Sequence, residues 1–398
     1  MRLDKLLIFV ILLLAQTLFA QNKYREDFLE FWKDYDKHYA YFEKQSIDWN
    51  KVKEIYLPQA DTITHDWYFV QFLESVVNEL HNGHVSLNLN LPISNRIIPS
   101  GADVFAEKKD NRFFIADVKT GSNAESSGFK PGMEVVRFNG QPIAPQLQKF
   151  LPKFTTNYSD AMYSYALNML FAGKYDTKRV FTVKLNGKEK ELHPDKEPAK
   201  PAATLLLHYE ILDGGIGYIK VNNSLGNNSL IKEFDTAMDA LMQTKSIILD
   251  LTDTPGGGNT TVARGIMGRF TDRELPYQKH VIDEKEFGTV RSWIEYVIPR
   301  SSTYKGKLIV MAGHWTGSMG EGMVIGLDAM KRSQTVGTKM AGLLGAIYTF
   351  KMKNTGYGYQ IPYERLYHVN GTPREDFVPA YLTANSPETK DKALQLAR

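Results

Sequence analysis

The chain has 398 residues, with 48 Lys and Arg against 45 Asp and Glu, and no cysteine. A net charge of +3 without a basic stripe interleaved with aromatics argues against a nucleic-acid partner. The lack of cysteine excludes disulfides and any thiol nucleophile, and the length allows two or three domains around a sizeable core.

The first segment reads Met1-Arg2-Leu3-Asp4-Lys5, then an apolar run from Leu6 to Leu14, then Leu18-Phe19-Ala20. A charged start, a short apolar stretch and a small-residue site predict a signal peptide over 1–20, with Gln21 as the mature start. The run is short for a membrane span, so no stable span is expected after cleavage; an uncleaved anchor is the alternative. With no cysteine after it, a lipoprotein anchor is excluded. An exported, disulfide-free chain points to the bacterial periplasm or to secretion.

From 21 to 91 a helical domain is expected. Phe28, Phe31, Trp32, Tyr35 and Tyr39 recur at spacings of three and four, the mark of an amphipathic helix. A second helix can start at Asp48-Trp49, and a third runs from Asp66 to Leu80. It ends at His81-Asn82-Gly83-His84, where Asn-Gly signals a turn and Val85-Ser86-Leu87-Asn88-Leu89 alternates like a strand. His84 is either a polar turn residue or a general base, its imidazole suited to proton transfer near neutrality. A zinc reading of His81 and His84 lacks a third ligand.

The segment 97–153 holds strands at Gly101–Phe105 and Arg112–Val118, then Gly128-Phe129-Lys130-Pro131-Gly132 and a strand into Asn139-Gly140. This order resembles a PDZ domain of the bacterial protease type, and the resemblance implies capture of an extended peptide and its C-terminal carboxylate. A structural spacer is the alternative.

A core is expected over 160–398. Ala161–Phe171 reads as a helix, and Arg179–Leu185 and Glu189–Leu192 as a hairpin around Asn186-Gly187, before a proline-rich linker near 193–203. Gly217–Val221, Leu230–Met242 and Ser246–Leu251 form strand, helix, strand, a parallel βαβ unit. The last strand runs into Thr252-Asp253-Thr254-Pro255-Gly256-Gly257-Gly258-Asn259 and a helix from Thr261 to Phe270. No Gly-Lys-Ser/Thr follows, so a phosphate loop is rejected. Bare glycines presenting N–H groups fit an oxyanion cradle. A tight strand-to-helix turn is the plain alternative.

Leu308–Met311 is a buried-strand pattern that runs into His314-Trp315-Thr316-Gly317-Ser318-Met319-Gly320-Glu321 and a helical Val324–Met330. A small-residue turn there exposes Ser318 beside the unpaired N–H groups of a helix start, the parts of nucleophilic catalysis. Thr316 or Ser318 can also be a mere cap, with Glu321 closing a capping box. Farther on, Tyr348–Lys353 and Tyr357–Ile361 pair as strands.

Taken in order, Leu80-His81-Asn82-Gly83-His84, the PDZ-like module, Leu249 to Asn259, Thr316 to Glu321, Val336-Gly337-Thr338-Lys339 and the turn at Glu375-Asp376 resemble the C-terminal processing peptidase and tricorn core family of serine peptidases. The resemblance implies an α+β / α/β multidomain fold: an N-terminal helical part, a PDZ-like β-rich module and a βαβ-containing peptidase core of the ClpP/crotonase type. It makes Ser318 the nucleophile, with backbone N–H groups of Gly257 (or Gly256) and Met319 as the oxyanion hole. One style in the family uses a lysine directly after a glycine; here Leu343 follows Gly342, and Lys339 reads as a solvated turn residue. The tricorn-like style uses a histidine from the N-terminal part, which His84 matches. Its acidic third member has Glu375 as first candidate, with Asp376 and Glu364 behind it. Glu321 is expected to brace the helix start.

The function expected is acyl-transfer hydrolysis of peptide bonds near unstructured protein C-termini, with protein or peptide substrates and no cofactor or metal. Two other classes stand beside it. One is a catalytically silent ligand-binding protein of the same fold, as in the interphotoreceptor retinoid-binding proteins. The other is an adaptor working through the PDZ-like module.

Overall fold

The computed structural model describes residues 23–197 and 205–398, so the signal peptide expected over 1–20 and most of the proline-rich linker lie outside the described residues. The centre is a six-stranded sheet in the order Tyr381–Leu382, Gln334–Gly337, Lys307–Ala312, Ser246–Asp250, Ile216–Val221, Leu207–Leu212. All neighbours are parallel except the last pair. Ser246-Ile247-Ile248-Leu249-Asp250 is buried along its whole length, as a strand covered on both faces must be. One face packs on Leu230–Leu241, through Phe234, Met238 and Leu241, and on the helices Thr260–Met267 and Met319–Ala329. The other face packs on Ser386–Ala397 through Ala393 and Ala397. The expected βαβ unit is present, with Ser246 in register with Ile216.

The helical part is not a separate domain. Residues 23–38 and the helices Trp49–Ala60 and Asp66–Asn78 share one core with Leu344, Met352, Tyr359 and Ile361 from the far end of the chain. The aromatic stripe supplies that core: Phe31 and Tyr35 pack on Tyr359 with ring centroids at 4.9 and 6.0 Å. Ser86–Leu87 then joins an antiparallel sheet with Gly358–Tyr367, Leu275–Glu284, Thr289–Val297 and Ala346–Lys351.

The PDZ-like unit is larger than expected. The boundary placed at 160 fails, because Phe181–Leu185 pairs antiparallel with Glu134–Phe138 and Lys188–Leu192 extends the same sheet. The helix Asp160–Ala172 also packs into this unit, with Ala166, Leu167 and Phe171 in its core. The unit therefore runs from about Val104 to Leu192. The hairpin was legible as a hairpin, but local pattern says nothing about which sheet it joins. No described helix is long and apolar enough to cross a membrane.

Candidate active site

Two neighbouring parallel strands, Ser246–Asp250 and Lys307–Ala312, end at the same edge of the central sheet. In open α/β sheets that carboxyl edge is where ligands bind. Their loops stay side by side: Thr254 N–H donates to Trp315 O at 3.0 Å and Gly317 N–H to Thr254 O at 3.2 Å. Thr316 ties its own turn, its hydroxyl donating to Leu251 O and accepting from Gly313 N–H, both at 2.9 Å.

This frame forces Ser318 to φ 52°, ψ −113°, outside the regions an L-residue prefers, at the entry to Met319–Ala329. Strain at a sharp strand-to-helix turn is the mark of a nucleophile elbow. Ser318 is half-buried. Gly257, at φ +61°, lies against it: a Cβ there would sit 2.4 Å from Ser318 Cβ, 2.8 Å from Ser318 Oγ and 3.1 Å from Met319 N. Bare glycine keeps that space open. Met319 N–H is the first of the helix and has no intrahelical acceptor. Gly257 N–H makes a turn contact to Thr254 O at 3.2 Å. Gly256 N–H is committed to Asn223 Oδ1 at 2.8 Å, so of the two glycines Gly257 is the one beside the serine.

His84 is buried at the turn that leads into Ser86–Leu87. Its own N–H is held by Asn82 Oδ1 at 3.0 Å, and its ring Nδ1 lies 3.0 Å from Leu344 O. A carbonyl only accepts, so Nδ1 carries the proton and Nε2 keeps a lone pair. Burial, and then the Arg374 guanidinium, lower the pKa of His84 to about 4. The imidazole is thus neutral at pH 7. Ser318 and His84 are not hydrogen-bonded to each other. Their segments meet through Leu343, whose methyls lie 3.1 and 3.0 Å from where Cβ atoms on Gly83 and Gly317 would be.

The loop 341–345 that presents Leu344 O is pinned at several of its backbone groups. Ala341 N–H donates to Thr316 O at 3.0 Å. Glu321 Oε1 accepts from Gly342 and Leu343 N–H at 2.9 and 3.3 Å, while its Oε2 accepts from Ser318 N–H at 2.7 Å. Glu321 is fully buried, which raises its pKa to about 7 against the pull of Arg374 and these N–H groups. The expected bracing role fits this geometry. Arg374, 1% exposed, donates to Leu343 O at 2.7 Å, Gly345 O at 2.9 Å and Ser318 O at 3.3 Å. Nothing in the sequence pattern pointed to Arg374; a Pro-Arg-Glu-Asp turn reads as solvated surface.

The acidic candidates lie elsewhere. Glu375 Oε1 and Asp376 Oδ2 both pair with Lys44 at 2.7 Å, and the place beside His84 Nδ1 belongs to Leu344 O. Glu364 is bonded to His280 Nδ1 in a separate buried pair, and the exposed Tyr348 donates its hydroxyl to the other carboxylate oxygen. Lys339 is exposed, as expected of a turn residue. Among the described residues no group of three or more His, Asp or Glu is placed to hold a metal ion. A cleft of about 720 Å³ abuts the site; Gly83, Trp315 and Leu343 line it beside Phe105, Phe154 and Tyr158, although neither Ser318 nor His84 faces it.

Residues 215–377 match the model of peptidase family S41, and residues 20–78 match the tricorn protease C1 domain. The S41 match alone covers less than half of the chain. The structure is similar to that of mature CPAF, at 15% identity over 95% of this chain and 97% of that one, with a TM-score of 0.65. It is also similar to the photosystem II D1 C-terminal processing protease, at 14% identity over 90% and 92% of the two chains, with a TM-score of 0.55. These likenesses carry the fold. The S41 match spans the glycine loop and the Ser318 elbow, and the tricorn C1 match spans the N-terminal helices; the chain is similar to peptidase family S41 over its core and is a serine-type peptidase.

Proposed function

We propose that the protein is an exported serine endopeptidase, periplasmic or secreted, that hydrolyses peptide bonds through an acyl-enzyme on Ser318 with His84 as base. One observation carries this reading: Ser318 stands at a strained elbow beside Gly257, whose missing Cβ leaves open the space between Ser318 Oγ and Met319 N–H. A carbonyl oxygen entering that space meets the helix-start N–H of Met319; Gly257 N–H, which donates to Thr254 O at 3.2 Å, becomes the second donor by exchanging that long turn bond for the oxyanion. Ser318 Oγ attacks the carbonyl carbon and its proton passes to Nε2 of His84. His84 then protonates the leaving amine, and water, deprotonated by the same nitrogen, releases the acid. Leu344 O holds the ring through Nδ1 and stabilises its charged form, the orienting task that Glu375 was expected to fill.

Protein or peptide substrates follow from the family. Export rests on the residue pattern of 1–20 and is tested by N-terminal sequencing of protein recovered from a fractionated host. The activity is tested by cleavage of a casein-type unfolded substrate with the mature protein and with Ser318→Ala, His84→Ala and Lys339→Ala. Activity lost in the first two and kept in the third supports the pair. Loss with Lys339→Ala instead overturns the assignment of the base. No cleavage by any form, with peptide still bound, returns the protein to the adaptor reading.

A further inference from the structure

In the PDZ-like unit Val104–Lys109 is an edge strand, with Arg112–Val118 as its one neighbour in the sheet. Ala106 lies opposite Ile115. Ile115 gives both main-chain groups to the other side, its N–H to Met133 O and its O to Gly132 N–H, each at 2.8 Å. Ala106 therefore turns its N–H and C=O outward, where an added peptide strand would pair with them. Both groups are taken. Asn168 Oδ1 accepts from Ala106 N–H at 2.9 Å, and Asn168 Nδ2 donates to Ala106 O at 3.0 Å. The same Nδ2 donates to Ser164 O at 2.9 Å, which fixes the amide's orientation.

A carboxamide offers the same donor and acceptor as a peptide group. Asn168 thus makes with Ala106 the two bonds that a bound peptide residue would make. Asn168 is 4% exposed, and Ala106 and Ala166 are fully buried, so at Ala106 the helix Asp160–Ala172 lies directly on the strand. Lys108 Nζ over the Tyr163 ring at 4.1 Å adds a second contact between strand and helix.

We propose that Asn168 is a resident substitute for a peptide strand, so that the PDZ-like unit captures no substrate tail and the peptidase accepts internal extended segments whether or not a free C-terminal carboxylate is near. The proposal rests on the peptidase reading above and replaces the expectation of tail capture. The strand held by Asn168 serves the elbow instead. Phe105 stacks on His314 with centroids 3.7 Å apart and planes at 9°, and Ala102 O accepts from Trp315 Nε1 at 2.8 Å. His314 and Trp315 lead directly into the turn that bears Ser318.

The test uses two peptides of one sequence, ending in a free acid or an amide. The enzyme is expected to cleave both with kcat/KM values within about threefold, whereas tail capture would favour the acid by about tenfold or more. In parallel, fluorescence anisotropy on full-length Ser318→Ala protein reads groove binding without turnover. Added Asn168→Ala is expected to tighten binding of the extended peptide about tenfold. Asn168→Asp, which keeps the size and loses the amide donor, serves where Asn168→Ala does not fold. A tenfold preference for the free acid with Asn168 intact, or peptide binding unchanged by replacing Asn168, overturns the proposal. Failure to cleave either peptide would sink the peptidase reading and leave the binding arm to decide on the groove.

Discussion

Arg374 reaches the carbonyl oxygen of Ser318 at 3.3 Å from the far end of the chain. The same guanidinium binds Leu343 O and Gly345 O, on either side of the carbonyl that holds His84. One cation thus ties the serine elbow to the loop that orients the histidine, and the nitrogen that binds Leu343 O and Gly345 O also lies 3.8 Å from the buried carboxylate of Glu321. A planar fork of donors suits this set of carbonyls, and lysine cannot reproduce it.

Arg374→Gln is therefore expected to lower kcat about tenfold or more, since small misplacements of a catalytic group are costly. It should also lower stability, because the buried carbonyls of Leu343 and Gly345 lose their donor, while Glu321 takes up a proton once its cation is gone. Steady-state kinetics and urea denaturation on the variant check both, and Arg374→Lys should restore only part of either.

The pH profile gives a sharper sign. Burial, and after it Arg374, lowers the proton affinity of His84, so the acid limb of kcat/KM is expected near pH 4 in the native enzyme. Without the guanidinium the limb should move up only part of the way, because burial, the larger cause, remains. An unmoved limb would mean that another group sets it.

The same depression acts on stability. Unfolded His84 takes up its proton near pH 6.5 and folded His84 only near pH 4. The unfolded state binds more protons between those values, so stability falls as pH drops through that window, by about 3 kcal/mol for this group. Denaturant midpoints at pH 7 and 4.5 should differ more for the native protein than for His84→Ala.

Gly257→Ala is expected to abolish activity. The added Cβ would lie 2.8 Å from Ser318 Oγ, in the space a substrate carbonyl needs. Its φ of +61° adds a backbone cost of about 1–3 kcal/mol. Gly128→Ala, whose φ is +90° with open space around the added carbon, is the control: it should lose stability and keep kcat.

Much of this was legible in the residues. The buried strand Ser246–Asp250, the glycine loop after it and the small-residue turn at Ser318 are local patterns, and local pattern places them on the fold. Long-range closure is a different matter. The hairpin Phe181–Leu192 carried no mark of the sheet it would join, and the tail turn at Arg374 gave no sign of burial. The orienting group of His84 proved to be a main-chain carbonyl, Leu344 O, which residue types cannot advertise. The strands of the unit read as PDZ-like are local patterns, yet the closure of its edge depends on one carboxamide, Asn168, in a helix more than fifty residues away in sequence.

The central claim is that Ser318 is a nucleophile activated by His84. The most direct measurement is labelling of the mature protein with a fluorophosphonate, followed by peptide mapping by mass spectrometry. The account predicts one adduct, on Ser318, absent in Ser318→Ala, formed at least about a hundredfold more slowly in His84→Ala and at the native rate in Lys339→Ala. An adduct that forms at an undiminished rate without His84, or no adduct on Ser318 in the folded protein, would contradict it.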